Sequence, residues 1–196
     1  MKNMFKLGAL AGAVLLSTNS FAAAGDTVMR VRAVNIATHN SSSPVEGVEV
    51  SKKTIPDVDF SYFFTDNIAA ELILTYPQEH DVSLNGTKLG TLKELPPTLL
   101  AQYHFTPGGS FSPYVGAGLN FTLFSNVDIP GLDVKKSSIG AALQIGMDIP
   151  LKDGVSLNID LKKVFMKTDV KDTAGTYVTT LKVDPMLLGV GLGWKF

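Results

Sequence analysis

Two groups of residues carry the side-chain types of nucleophilic catalysis: His39 with Ser41, Ser42 and Ser43, and His80 with Asp81 and Ser83. A serine becomes a nucleophile when a base lies within hydrogen-bond reach and a third group orients that base. Nothing in these spacings enforces that arrangement, and both groups fall in polar stretches where Ser and His are ordinary. No catalytic residue is assigned, although a lipid-modifying hydrolase or acyltransferase remains an alternative. His39, His80 and His104 are far apart and lack metal-ligand spacing, so no metal or cofactor is assigned. Gly189, Gly191 and Gly193 alternate along a strand with no helix after them, which is unlike a phosphate-binding loop. The remaining polar chemistry is a set of charged residues at alternate positions, among them Arg30, Arg32, Asp57, Asp59, Asp160 and Lys162. Alternation at period two is the signature of strands.

The elements that must position them are clearest at the chain end, VDPMLLGVGLGWKF. Met186, Leu188, Val190, Leu192, Trp194 and Phe196 share one face, and Leu187, Gly189, Gly191, Gly193 and Lys195 share the other. A sheet facing water would carry polar side chains opposite its apolar face. Glycines instead suit the crowded interior of a narrow barrel, leaving the large apolar column for lipid. Alternation predicts eight such strands near 27–36, 55–64, 68–76, 97–105, 113–124, 138–150, 155–166 and 180–196. Long polar connections at 37–54, 77–95, 125–137 and 170–179 alternate with short turns at 65–67, 106–112 and 152–154. Four long loops on one side and three short turns on the other is the pattern of an outer-membrane barrel, with long loops extracellular and short turns periplasmic. The expected fold is therefore all-β, an eight-stranded antiparallel transmembrane barrel. Phe64, Tyr103, Phe105, Tyr114, Trp194 and Phe196 are expected near the periplasmic rim. A soluble ligand barrel of lipocalin type would place the apolar column inside, but then a glycine- and alanine-rich column would face water.

The chain start is consistent with export. Lys2 and Lys6 precede the apolar run Leu7–Leu16, and Ser20-Phe21-Ala22 is a small-x-small cleavage site. Residues 1–22 read as a removed signal peptide and 23–196 as a single barrel domain. The leader run is too short to span a bilayer as a helix, which takes roughly 20 residues. The chain of 196 residues has 17 basic and 18 acidic residues, a formal charge of −1, which argues against nucleic acid as a partner. Cysteine is absent, so an exported chain must draw its stability from packing and closed hydrogen bonding.

Several stretches together resemble the OmpW family of small outer-membrane barrels along nearly all the mature length. They are Thr65-Asp66-Asn67-Ile68-Ala69-Ala70-Glu71-Leu72, Leu95-Pro96-Pro97-Thr98 with Ala101-Gln102-Tyr103-His104-Phe105, Pro113-Tyr114-Val115-Gly116-Ala117-Gly118, Gly140-Ala141-Ala142-Leu143-Gln144-Ile145-Gly146, and Val183-Asp184-Pro185 leading to Phe196. The resemblance implies location in the outer membrane of a Gram-negative cell and a porin-like route for small hydrophobic molecules; related members assist entry of alkanes and other apolar compounds. Some members carry a bulky aromatic facing the lumen in the seventh strand, where this chain has Lys162.

Parity and strand direction alone divide the lumen column by height. Ile55, Ile73, Leu100 and Leu187 form its extracellular part, an apolar funnel suited to a hydrophobic ligand. Below lie Arg30, Arg32, Asp59, Glu71, Gln102, Asp160 and Lys162, with His104, Asn120, Gln144, Asp148, Asn158 and Lys195. Eight strands leave an interior barely wide enough for side chains, so this set reads as a polar plug whose charges satisfy each other. A solute entering the funnel would then leave sideways. Pro56, Pro97 and Pro185 fall in or beside strands near the extracellular end, and each removes a ladder donor. They read either as strand ends above the lipid or as places where a lateral gap opens. Trwo features of the chain end, outward Trp194 and terminal Phe196, resemble the signal read by outer-membrane assembly machinery. The expected function is uptake of small hydrophobic molecules; the alternative is a structural or adhesive barrel without transport. Expected partners are outer-membrane lipid, the solute and the assembly machinery.

Overall fold

The computed structural model describes residues 22–196. The signal-peptide reading of residues 1–22 therefore falls almost wholly outside the described residues. Fifteen strands follow in chain order: β1 (Thr27–Ala37), β2 (Ser41–Ser43), β3 (Val48–Val50), β4 (Lys53–Phe63), β5 (Ile68–Leu74), β6 (Gln78–Leu84), β7 (Thr87–Leu95), β8 (Thr98–His104), β9 (Ser112–Asp128), β10 (Leu132–Val134), β11 (Ser137–Pro150), β12 (Val155–Val164), β13 (Lys167–Asp172), β14 (Tyr177–Lys182) and β15 (Met186–Lys195).

Eight of them, β1, β4, β5, β8, β9, β11, β12 and β15, pair antiparallel in that order, and β15 returns to β1 to close the barrel. Closure pairs each of the eight strands with a neighbour on both sides, and inside a membrane an unsatisfied backbone group costs several kcal/mol. The alternation is strict enough to fix which face looks out. Leu119, Ile139, Leu143 and Ile145 are each more than half exposed, while Asn120, Ser138, Ala142 and Gln144 beside them are buried. The apolar column therefore faces lipid and the small or polar column faces the lumen. Aromatic side chains gather at the periplasmic rim: Tyr62 and Phe64 meet edge to face at 5.1 Å, as do Tyr103 and Phe105 at 5.3 Å, and Phe196 is 74% exposed. Trp194 is half-buried at the same end.

Three expectations need correction. Tyr114 does not join that outward belt. Its even position in β9 turns it inward, where it is fully buried and its hydroxyl donates to Asp160 at 3.1 Å. The long connections are not plain loops. β3, β6 and β7 continue the barrel sheet above the membrane, with β7 pairing β9, and β10, β13, β14 and β2 form a separate four-stranded sheet. The segment 180–196 is not one strand, since β14 belongs to that sheet and residues 183–185 break the run before β15. The β6–β7 hairpin turns on Asn85 and Gly86, both at positive φ (49° and 80°), the geometry that favours Asn-Gly in a two-residue turn.

Candidate functional site

Several barrel strands change character along their inner faces. Along the inner face of β1 the order is Arg30, Arg32, then Val34 and Ile36, and the register sets Arg30 opposite Asp59, Arg32 opposite Asp57 and Val34 opposite Ile55. On β5 the change falls between Glu71 and Ile73, on β8 between Gln102 and Leu100, on β12 between Lys162 and Val164. Only the β1 and β4 changes fall at directly paired residues; elsewhere the register sets Asp59 opposite Ile73, Glu71 opposite Leu100 and Lys162 opposite Leu187, so on the tilted strands the charged lower layer and the apolar upper one meet along a staggered boundary.

The lower layer is a closed network. Arg30 donates through Nε and Nη2 to both oxygens of Asp148 (3.1 and 2.7 Å), and through Nη1 to Asp59 (3.0 Å) and Ser61 (2.7 Å). Arg32 donates to Asp57 at 3.0 Å and lies 2.7 Å from Asp59 Oδ2 and 3.3 Å from Glu71. Lys162 donates to Asp160. Gln144 bridges Glu71 and Asp160 through its amide nitrogen at 2.8 and 2.7 Å and accepts from Gln102 at 3.0 Å. Every one of these side chains is buried. Ions this far from water are tolerated because partners surround them. The glycines of β15 make the room: a Cβ at Gly191 would stand 2.0 Å from the Val31 carbonyl oxygen, and one at Gly193 would stand 3.2 Å from Arg30 Cγ.

Above the network lies a cavity of about 50 Å³, walled by Val34, Ile36, Ile55, Ile73, Val164, Met166 and Leu187 and reached at its rim by Asp57, Glu94 and Lys162. Of the four residues expected in the funnel, Ile55, Ile73 and Leu187 line it. Leu100 does not; it is buried in the apolar cluster that contains Ile73. Sequence reasoning passed over Val34, Ile36, Val164 and Met166, although the first three have the inward parity of their strands and Met166 continues that of β12. Higher still, the two extracellular sheets enclose a second cavity of about 60 Å³ lined by Val82, Leu92, Ile129, Val134, Val170 and Leu181. These six belong to the same apolar cluster as Ile73, Val164 and Met166, so apolar contact is continuous from one cavity to the other.

The prolines occupy three different settings. Pro185 borders the lower cavity, and its carbonyl accepts from Val164 N–H at 3.1 Å. Pro97 lies just before β8 and accepts from Phe121 N–H at 2.9 Å. Pro56 is exposed on the outer face of β4, opposite Ala33 in register. The clearest gap in the ladder is beside Pro56. β5 stops at Leu74, which pairs Val58, so β4 above that point has no strand partner on its β5 side. Lys53 Nζ donates to the Glu79 carbonyl at 3.1 Å across the top of this gap. Ile55 and Asp57 on one side and Thr75 on the other line both the gap and the cavity.

The histidine groups sort differently. His80 is buried in β6 with Nδ1 3.0 Å from the Ser51 carbonyl and Nε2 3.4 Å from Glu94 Oε1. Both ring nitrogens face acceptors, the arrangement that suits the imidazolium form. Burial works against its charge, but the Glu94 carboxylate outweighs that and the pKa is raised above 6.5. Asp81 pairs with Lys88 at 2.6 Å instead of orienting His80. His39 donates its backbone N–H to the Val183 carbonyl. Neither group presents a serine hydrogen-bonded to its histidine among the described residues.

The sequence profile of the OmpW family matches residues 22–196. The uncharacterized outer-membrane protein y4mB of Sinorhizobium fredii is 42% identical over 86% of this chain and 79% of its own length. Outer membrane protein W of Vibrio cholerae is 32% identical over 88% of this chain and 89% of its own. Among solved structures, the outer-membrane protein OprG of Pseudomonas aeruginosa superposes with a TM-score of 0.75 at 28% identity, covering 89% of this chain and 97% of that one.

Proposed function

This chain belongs to the OmpW family of outer-membrane barrels, and from that premise we propose that it admits small hydrophobic molecules through its extracellular end and releases them sideways into the bilayer. The observation that carries the reading is the apolar cavity set directly on a closed ionic layer. Apolar walls facing a space open to solvent are costly unless a ligand covers them. Passage straight down would require breaking ion pairs that are each expensive to expose singly.

The size of the cavity bears on the exit. About 50 Å³ takes a slim apolar segment, whereas drug-sized ligands occupy about 300 Å³ or more. A bulkier solute has to push the wall outward. The wall is weakest where β4 rises past the end of β5, because no ladder hydrogen bonds hold that seam. Pro56 on the same stretch of β4 brings no donor of its own, and Pro185 sits across the cavity where residues 183–185 already interrupt strand pairing. Lateral release then needs little rearrangement of the ionic layer formed by Arg30, Arg32, Glu71 and Asp160.

The test is Leu187→Asp, which puts a carboxylate into the cavity wall on a strand otherwise unchanged. We expect weaker binding of a small hydrocarbon probe by the purified protein and slower hydrocarbon uptake by cells, with normal amounts of folded barrel. A barrel that serves only as scaffold or adhesin predicts wild-type uptake from the variant, and that outcome would sink the transport reading.

A further inference from the structure

The outward face of the four-stranded extracellular sheet carries charge in rows. Register aligns Lys167 with Lys182 and Lys182 with Ser41 in the row nearest the membrane. Thr180 and Asp169 form the next row, and Tyr177, Lys171 and Asp133 the one beyond. Lys167 and Lys182 are both exposed and stand directly opposite each other on adjacent strands. Like charges in that relation destabilise a sheet. Edge protection does not account for them, because β13 and β14 are the two inner strands of the sheet order β10-β13-β14-β2.

Among the described residues neither ammonium has an ion-pair partner within 4.0 Å. Asp169 accepts from Thr180 Oγ1 at 2.8 Å, and Asp184 accepts from the Met166 N–H at 2.9 Å. Just below, Lys163 points outward on β12, donates to the Asp184 carbonyl, and lies 6.0 Å over the Phe165 ring. Exposed Phe165 lies between Lys163 and Lys167 along the chain, Met186 pairs with Lys163, and below them the outer surface is apolar, with Leu161 and Leu188 exposed. Three lysines thus sit where the apolar outer band gives way to the extracellular sheet.

We infer that this row is a docking surface for the phosphorylated headgroup of an outer-leaflet glycolipid. A phosphate between Lys167 and Lys182 turns a repulsive pair into two charge-assisted contacts, while the lipid's acyl chains lie against Phe165 and Met186. Because none of these side chains lines the lumen cavity, the surface works independently of transport.

The experiment embeds the folded barrel in phosphatidylcholine nanodiscs doped with one of three lipids: a bis-phosphorylated acylated glucosamine disaccharide, its dephosphorylated form, or phosphatidylglycerol. Native mass spectrometry then reads the lipid retained per protein after transfer to mild detergent. We expect selective retention of the phosphorylated glycolipid, reduced roughly tenfold to thirtyfold in K167Q/K182Q, at about 1 kcal/mol for each lysine near a headgroup. K152Q, at the periplasmic turn, should retain it fully, and K167R/K182R should bind as wild type even if the glutamine variant folds poorly. Equal retention of the dephosphorylated lipid or of phosphatidylglycerol, wild-type retention by K167Q/K182Q, or displacement by an equal concentration of inorganic phosphate would each overturn the assignment.

Discussion

Arg32 is the residue on which the lower lumen turns, because one guanidinium pairs with carboxylates from three other strands, β4, β5 and β12. Arg32→Ala leaves Asp57, Asp59 and Glu71 facing one another with Arg30 and Lys162 as the remaining cations. Removing one member of a buried charge network costs about 3–5 kcal/mol. We therefore expect the variant's denaturant midpoint in detergent micelles to drop markedly, whereas Lys152→Ala at an exposed turn should leave it unchanged. A shift no larger than that of the turn variant would mean that water reaches the network. These inward charges were legible because each repeats the parity of its strand, and a charge on a lumen column has no reading except a paired one. Tyr114 was misplaced for the opposite reason: its aromatic character suggested the rim, while its parity, one position from outward Val115, already pointed inside. Its space in the lumen comes from Gly146, where a Cβ would fall 2.4 Å from the phenol ring.

At the scale of elements, the barrel strands were readable and the extracellular ones were not. Leu119, Leu143 and their neighbours alternate without a break, since lipid on one side and a crowded lumen on the other allow no exceptions. Outside the membrane that pressure lapses, and β6 mixes Gln78, His80, Val82 and Leu84 on its inner side. Asn85-Gly86, whose positive φ angles suit a two-residue hairpin turn, was passed over inside the connection read as 77–95. The β6–β7 hairpin also carries the pH dependence. His80 is fastened between the Ser51 carbonyl and Glu94, with Lys53 the nearby cation opposing its charge. Because its folded pKa is raised above 6.5, the contact contributes its full stability below that value and loses it as pH climbs past the raised one. Amide exchange in β6, corrected for the intrinsic rate, should therefore show hairpin opening increase from mildly acidic to mildly alkaline pH. His80→Asn should flatten that dependence. Exchange that slows with rising pH in the wild type would reverse the sign and remove the imidazolium from the account.

For the whole molecule, the decisive contact joins the two strands farthest apart in sequence. β1 and β15 pair from Val28 with Lys195 through Ala37 with Met186, and this seam is what closes the cylinder. Pairing of such separation is slow to form unaided. Phe196 completes the seam: its N–H donates to the Thr27 carbonyl at 2.8 Å and its carbonyl accepts from the Thr27 N–H at 3.2 Å. Its side chain does something separate, since it stands 74% exposed at the aromatic rim. Deleting the residue would confuse the two roles, whereas Phe196→Ala keeps the backbone bonds and removes only the ring. A ring that merely touches lipid is worth at most about 3 kcal/mol, and its loss should lower folded yield alike in cells and in refolding from urea into detergent. If the outward ring is also what the assembly machinery grips, the two settings separate. We expect Phe196→Ala to refold in vitro nearly as well as wild type while its folded fraction in outer membranes falls several-fold, with Trp194→Ala showing a smaller effect in the same direction because that ring is already half-buried. Matching losses in both settings would reduce the Phe196 ring to a lipid contact and leave the residue's backbone bonds to Thr27 as its contribution to the β1–β15 seam.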